Sequence, residues 1–213
     1  MQRIAQLAMV LCACTCASGV GPSNERTKTS GDNMGSPFEQ ARARFRNEVA
    51  TTFDQKPARL QIIPQSGEVI GFDDFKTGDL IAFEATARAP NLRVRGLASG
   101  STVVLLESNH LGPLFRAANA LDASKAMAAL DLARRVTWLM GPGYKLVEQV
   151  SDYPAYPLPS PVAPPSLDRA GGGATLHFYY LQYDANGGPA TKLAAEIKCS
   201  ARYEAALVTS PGP

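Results

Sequence analysis

The sequence predicts an α+β fold: a single domain with a mostly antiparallel sheet covered by two helices. Three observations predict it. Strand-like segments outnumber helical ones, the connections between them are mostly of hairpin length, and two stretches carry apolar residues at helical spacing. Along the chain the order is one helix, five strands, one long helix and three strands, with no internal repeat.

The first helix starts at Ser36-Pro37-Phe38-Glu39, a capping box with proline at the first helical position, where its missing N–H is no loss. Phe38, Ala41, Phe45, Val49 and Phe53 then recur on one face, while Arg42, Arg44 and Arg46 fall on the solvated side. Five strand-like segments follow: Arg59 to Ile63, Glu68 to Phe72, Asp79 to Ala87, Leu92 to Leu97 and Ser101 to Glu107. Pro64, Gly67, Gly78, Pro90-Asn91 and Ser99-Gly100 supply the breaks. Val103 to Leu106 is continuously apolar, as expected of a central strand buried on both faces.

A long helix is expected from about Pro113 to Met140, with a weak point near Asp122 and a stop at Gly141-Pro142-Gly143. Asp131 and Arg135, four apart, are expected to pair on its exposed side, with Trp138 at the edge of the apolar stripe. Tyr144 to Val150 reads as a strand. The proline-rich loop 154–165 favours extended polyproline II backbone, a stiff connection or a docking ligand for an aromatic groove. Thr175 to Tyr183 and Lys192 to Glu204 then flank the turn-rich Asp184 to Pro189. In the second arm Leu193, Ala195, Ile197, Cys199, Ala201 and Tyr203 alternate with charged and polar residues, the mark of a strand with one wet face. Cys199 is thereby an inward, small, inert thiol.

Composition limits the functional classes. Lys+Arg 21 against Asp+Glu 19 leaves a net charge of +2, so the chain as a whole lacks the basic excess of a nucleic-acid binder. A hydrophobic content of 45% with 19% charged residues supports a packed core rather than broad disorder. Two histidines exclude His-rich metal sites.

The N-terminus reads as an address. Met1-Gln2-Arg3 is positively charged, and roughly a dozen mostly apolar residues follow, fewer than the about 20 a membrane-spanning helix needs. Residues 1–17 are therefore expected to be an export signal, 18–35 a polar flexible tether, and 36–209 the folded domain. Cys12, Cys14 and Cys16 suit such a signal as small apolar residues better than they suit a metal-thiolate site. Leu11-Cys12-Ala13-Cys14 resembles the bacterial lipobox, in which Leu, a small residue and Ala or Gly precede the acylated cysteine. The resemblance spans four residues, with Cys12 an unusual occupant of the second position, and implies cleavage before Cys14 and lipid attachment to Cys14. Thr15 rather than Asp after that cysteine implies the outer membrane, facing the periplasm. Ordinary cleavage after Ala17 or Ser18, with secretion, is the competing outcome. A tether of this length would hold the domain roughly 25 Å from an acyl anchor.

No motif in the chain spells out catalysis: G-x-S-x-G is absent, and no Ser or Thr precedes a Lys by three. His110, at a strand-to-helix junction, is the best single candidate for an acid or base. His177 sits within a strand beside Tyr179. Asp73, Asp74 and Asp79 cluster in a turn without the alternating ligands of a calcium loop. No metal, no cofactor and no nucleic acid are expected. The expected function is thus that of an exported bacterial envelope protein, a lipoprotein whose domain binds or scaffolds without catalysis, with a membrane partner through Cys14 and an envelope protein as a further candidate. The alternative is a secreted hydrolase using His110 with carboxylates from Asp73, Asp74 or Glu84.

Overall fold

Two five-stranded antiparallel sheets and the helices packed against them make up the α+β fold. The computed structural model describes residues 35–65, 76–88, 91–148, 163–183 and 190–211. The export signal with Cys12, Cys14 and Cys16, nearly all of the tether, the strand over 68–72, Asp73, Asp74, the connection 184–189 and most of the proline-rich loop lie outside the described residues. Among the described residues no helix is long and apolar enough to cross a membrane.

The first sheet contains β1 (Gln61–Pro64), β2 (Lys76–Thr77), β3 (Leu80–Ala87), β4 (Leu92–Ala98) and β5 (Val103–Leu105). Its order is β1-β3-β4-β5, with β2 also paired to β3. Arg59 belongs to a 3-10 turn, Pro57–Arg59, ahead of β1 rather than to the strand itself. The segment from Ser101 to Glu107 yields only three strand residues, because a turn over 106–109 ends it.

One face of this sheet is covered by α1 (Pro37–Thr52), which lays Ala41, Phe45 and Val49 on Ile81, Phe83 and Ala85. Ser36 caps α1, its Oγ accepting from the Glu39 amide at 3.3 Å. The Phe83 ring lies 5.6 Å from Phe45 and 5.7 Å from Phe38. Gly96 makes room for that contact, since a Cβ there would come within 2.5 Å of the Phe45 ring. The arginines of α1 are more than a solvated face. Arg42 donates to the Ile62 carbonyl at 3.4 Å and Arg44 to the Gly100 carbonyl at 3.0 Å, which ties the helix to β1 and to the β4–β5 turn.

The opposite face, with Leu80, Ala82, Leu97 and Val104, meets an inner helical layer. The expected long helix is two helices, α2 (Gly112–Ala117) and α3 (Ala129–Met140). The break has a local cause. Asn119 adopts φ +51°, and the Ala120 amide returns to the Phe115 carbonyl at 3.0 Å, a termination in which asparagine takes the place usually given to glycine. Asp122 then holds the next turn by accepting from the Ser124 amide and hydroxyl at 3.0 and 2.7 Å, and those bonds lower its carboxyl pKa.

Helix α3 touches strands of both sheets, so it is buried nearly all round. That burial corrects two expectations. Trp138 is 7% exposed rather than at an edge, with the Arg95 guanidinium 5.4 Å from its ring centroid. Arg135 turns inward and donates to the Thr77 hydroxyl at 2.6 Å, while the Asp131 carboxylate meets Arg134 at 3.4 Å.

The second sheet comprises β6 (Tyr144–Val147), β7 (Ser166–Ala170), β8 (Gly173–Gln182), β9 (Thr191–Cys199) and β10 (Ala205–Pro211). Its order is β10-β9-β8-β6, with β7 also paired to β8. Strands β7 and β10 are additions to the sequence expectation. Gly171 and Gly172, at φ +59° and +79°, turn β7 into β8; two consecutive positive angles are what a tight two-residue hairpin turn demands. The alternating run Lys192 to Glu204 is not one strand. It breaks after Cys199, where the Ser200 amide bonds the Glu204 carbonyl and the Tyr203 amide bonds the Ser200 carbonyl, both at 2.9 Å. Tyr203 adopts φ +61°, completing a three-residue loop with a bulge. The inward set survives as far as Cys199, which is 3% exposed, and burial raises its thiol pKa.

Candidate functional site

His110 is held in place by its neighbours rather than by its own ring. The turn after β5 is pinned by the Ser108 hydroxyl donating to the Leu105 carbonyl at 2.8 Å. Asn109, at φ +49°, accepts from the Leu207 amide through its side-chain oxygen at 2.9 Å. The Leu111 amide donates to the Ala205 carbonyl at 3.1 Å, and the Leu111 side chain is fully buried. Two anchors on β10 therefore bracket His110, which faces outward into a cleft of about 430 Å³ shared with Asp79, Ser101, Arg116, Tyr203 and Glu204.

This cleft has strained walls. Tyr203 is a bulky residue in left-handed backbone, and Arg116 stacks on its ring at 5.0 Å from the centroid. The Tyr203 carbonyl sits directly over Gly112, where any Cβ would overlap it. Among the described residues the His110 ring has no hydrogen bond and no ion pair, and the Ser101 hydroxyl is engaged with Ser99 at 3.2 Å. The carboxylates that share its cleft are Asp79 and Glu204. Glu84 does not converge on His110, contrary to the hydrolase expectation. It is 5% exposed on the first sheet, where its Oε2 lies 2.9 Å from Arg93 and 3.2 Å from Arg95. A buried carboxylate needs such partners to stay charged, and they hold it away from the histidine.

His177 lies on the wet face of the second sheet, in a cleft of about 380 Å³. Register explains its company. It is cross-strand partner to Ser166 of β7 and to Glu196 of β9, and Asp168 is the next outward residue along β7. Its ring nitrogens stand 3.6 Å from Asp168 and 3.6 Å from Glu196. The Glu196 pKa is lowered chiefly by the Lys198 ammonium at 2.8 Å, with His177 adding to it. Local spacing does not reveal the two acidic neighbours of His177, because they lie on neighbouring strands, nine residues before it and nineteen after it. Among the described residues no group of three or more His, Cys, Asp or Glu side chains is placed to hold a metal ion.

A third cleft, of about 690 Å³, opens at the end of the first sheet where the 3-10 turn, the start of β1, the end of β3 and the start of β4 meet. It is lined by Arg59, Arg88 and Arg93 together with Gln61, Thr86 and Asn91. No motif in the sequence marks these arginines as a group.

No protein-family model, no curated protein and no solved structure matches the chain.

Proposed function

We propose that the chain is an exported protein of the bacterial cell envelope, anchored through an acylated Cys14, whose α+β domain binds or scaffolds rather than catalyses. The observation that carries the anchor is the Leu11-Cys12-Ala13-Cys14 tetrapeptide. It closes a short apolar start and is followed by a run from Ser23 to Asn33 without an apolar residue. Binding is favoured by three open clefts among the described residues, each lined by polar and charged side chains. One diacyl group on Cys14 with an N-acyl chain supplies the two or more chains that stable anchoring requires. On the lipoprotein sorting pattern, Thr15 points this anchor to the outer membrane.

Mass spectrometry of the N-terminus of membrane-extracted protein tests the anchor. A triacylated Cys14 is expected, and an unmodified start after Ala17 or Ser18 overturns it in favour of plain secretion.

The second reading is a secreted hydrolase on His110, favoured by Asp79 and Glu204 sharing its cleft. There the imidazole would take a proton from the attacking water. This reading requires the full chain to hydrolyse an activated ester such as p-nitrophenyl acetate, and His110→Ala to lower that rate by about 10²-fold or more. Equal rates in the two proteins remove it.

A further inference from the structure

Antiparallel pairing brings the start of β1, the end of β3 and the start of β4 to one end of the first sheet. There Gln61, Thr86 and Arg93 form a row of cross-strand partners on one face. Arg59, at the end of the 3-10 turn, and Arg88, just past the end of β3, flank this row, and the described lining of the cleft they enclose contains no acidic residue. The Arg59 and Arg88 side chains make no hydrogen bond or ion pair among the described residues. Arg93 has a partner in Glu84, but that carboxylate also serves Arg95. One carboxylate between two guanidiniums leaves one positive charge over. With Arg59 and Arg88, the end of the sheet carries three charges uncompensated among the described residues, against the net +2 of the whole chain.

Like charges gathered at one place repel one another and work against the compact state, whereas a cleft with protein walls concentrates their field on an incoming anion. The guanidinium fork matches the oxygen spacing of phosphate and can bond it through two parallel N–H groups. A phosphate also has enough acceptor oxygens for several such forks. The Gln61 and Asn91 amides and the Thr86 hydroxyl add neutral donors beside them. The cleft volume, about 690 Å³, falls within the usual range for small-molecule sites.

We infer that this cleft binds a phosphate group, held among Arg59, Arg88 and Arg93, borne either on a free phosphorylated compound or on a phospholipid headgroup. The inference rests on the folded domain alone and stands whether or not Cys14 is acylated.

Titration calorimetry of the full chain with inorganic pyrophosphate tests it. The expected result is saturable binding that weakens as salt rises. The Arg59→Gln/Arg88→Gln double variant should reduce it about tenfold or more, and Arg44→Gln, whose guanidinium is engaged at Gly100, should leave it unchanged. Arg59 and Arg88 are exposed, so the double variant should melt with the wild type and report on binding rather than folding. Sedimentation with phosphatidylglycerol and phosphatidylcholine vesicles separates the two sources. Weaker binding of the double variant to phosphatidylglycerol alone assigns the headgroup, and pyrophosphate binding without that difference assigns a free phosphorylated compound. Either upholds the site. No saturable pyrophosphate binding, or binding that survives the double substitution, overturns it.

Discussion

The first sheet is packed along both faces, the second along one face and, on the other, only at the corner where Val147 and Leu181 are buried, and the two handle charge differently as a result. Strand β3 buries Leu80, Ile81, Ala82 and Phe83 in succession. Strand β8 alternates instead, with Ala174, Leu176, Phe178 and Tyr180 inward and Thr175, His177 and Tyr179 outward. The first sheet carries a buried carboxylate, Glu84, held between two arginines. The second keeps Asp168, His177 and Glu196 on its wet face at looser distances. An ion pair matters most where water cannot reach it. Removed from water, a charge must be matched by its neighbours; in water the solvent does most of that work.

The core is the most sensitive place. Phe83→Ala deletes a fully buried ring that touches both Phe38 and Phe45, and should cost about 3–5 kcal/mol in urea unfolding. Val208→Ala on the wet face of β10, where Val208 is 59% exposed, should change stability by less than about 0.5 kcal/mol. A comparable loss at both positions would mean that the outer face of the second sheet is covered around Val208 in solution.

A smaller effect separates the two sets of carboxylates. Glu84→Gln keeps the shape but removes the charge that Arg93 and Arg95 share, at a cost of about 1–3 kcal/mol. Asp168→Asn, by contrast, should leave the melting temperature where it was. Equal sensitivity at the two sites would mean that burial does not set the worth of these ion pairs.

A still finer effect belongs to the second sheet alone. With Lys198 and His177 beside it, the Glu196 carboxyl should titrate below the ordinary glutamate range by NMR, and Lys198→Ala should move its midpoint back up. A carboxyl depressed in the folded state contributes stability above its unfolded pKa and loses that contribution as pH falls through its folded pKa. The wild type should therefore lose this stabilisation on the acid side, below the ordinary glutamate pKa. The Lys198→Ala protein should have less of it to lose.

Much of the local architecture was legible in the chain. Ser36 and Pro37 announced α1, and its apolar spacing identified Ala41, Phe45 and Val49 as the buried face. Gly141 ends α3 as expected, at φ +109°. Alternation along β9 placed Ile197 and Cys199 inward. The same alternation misled beyond Cys199, because Ser200, Ala201 and Arg202 continue a polar and apolar rhythm through what is a turn. Asn119, an ordinary polar residue in sequence, divides the expected long helix because its backbone enters the left-handed region. Of the site residues, His110 was legible as the residue between a strand and a helix, but its company of Asp79 and Glu204 was not.

Sequence alone determined where α1 starts, where α3 stops and which residues of α1 and β9 face inward, because spacing and capping act within a few residues. Tertiary structure alone decided that the strands divide into two sheets with α3 between them. It also decided that Arg59, Arg88 and Arg93 gather at one sheet end, and that His177 stands between Asp168 and Glu196. Those are relations between separate segments, created by antiparallel register and by the packing that selects it.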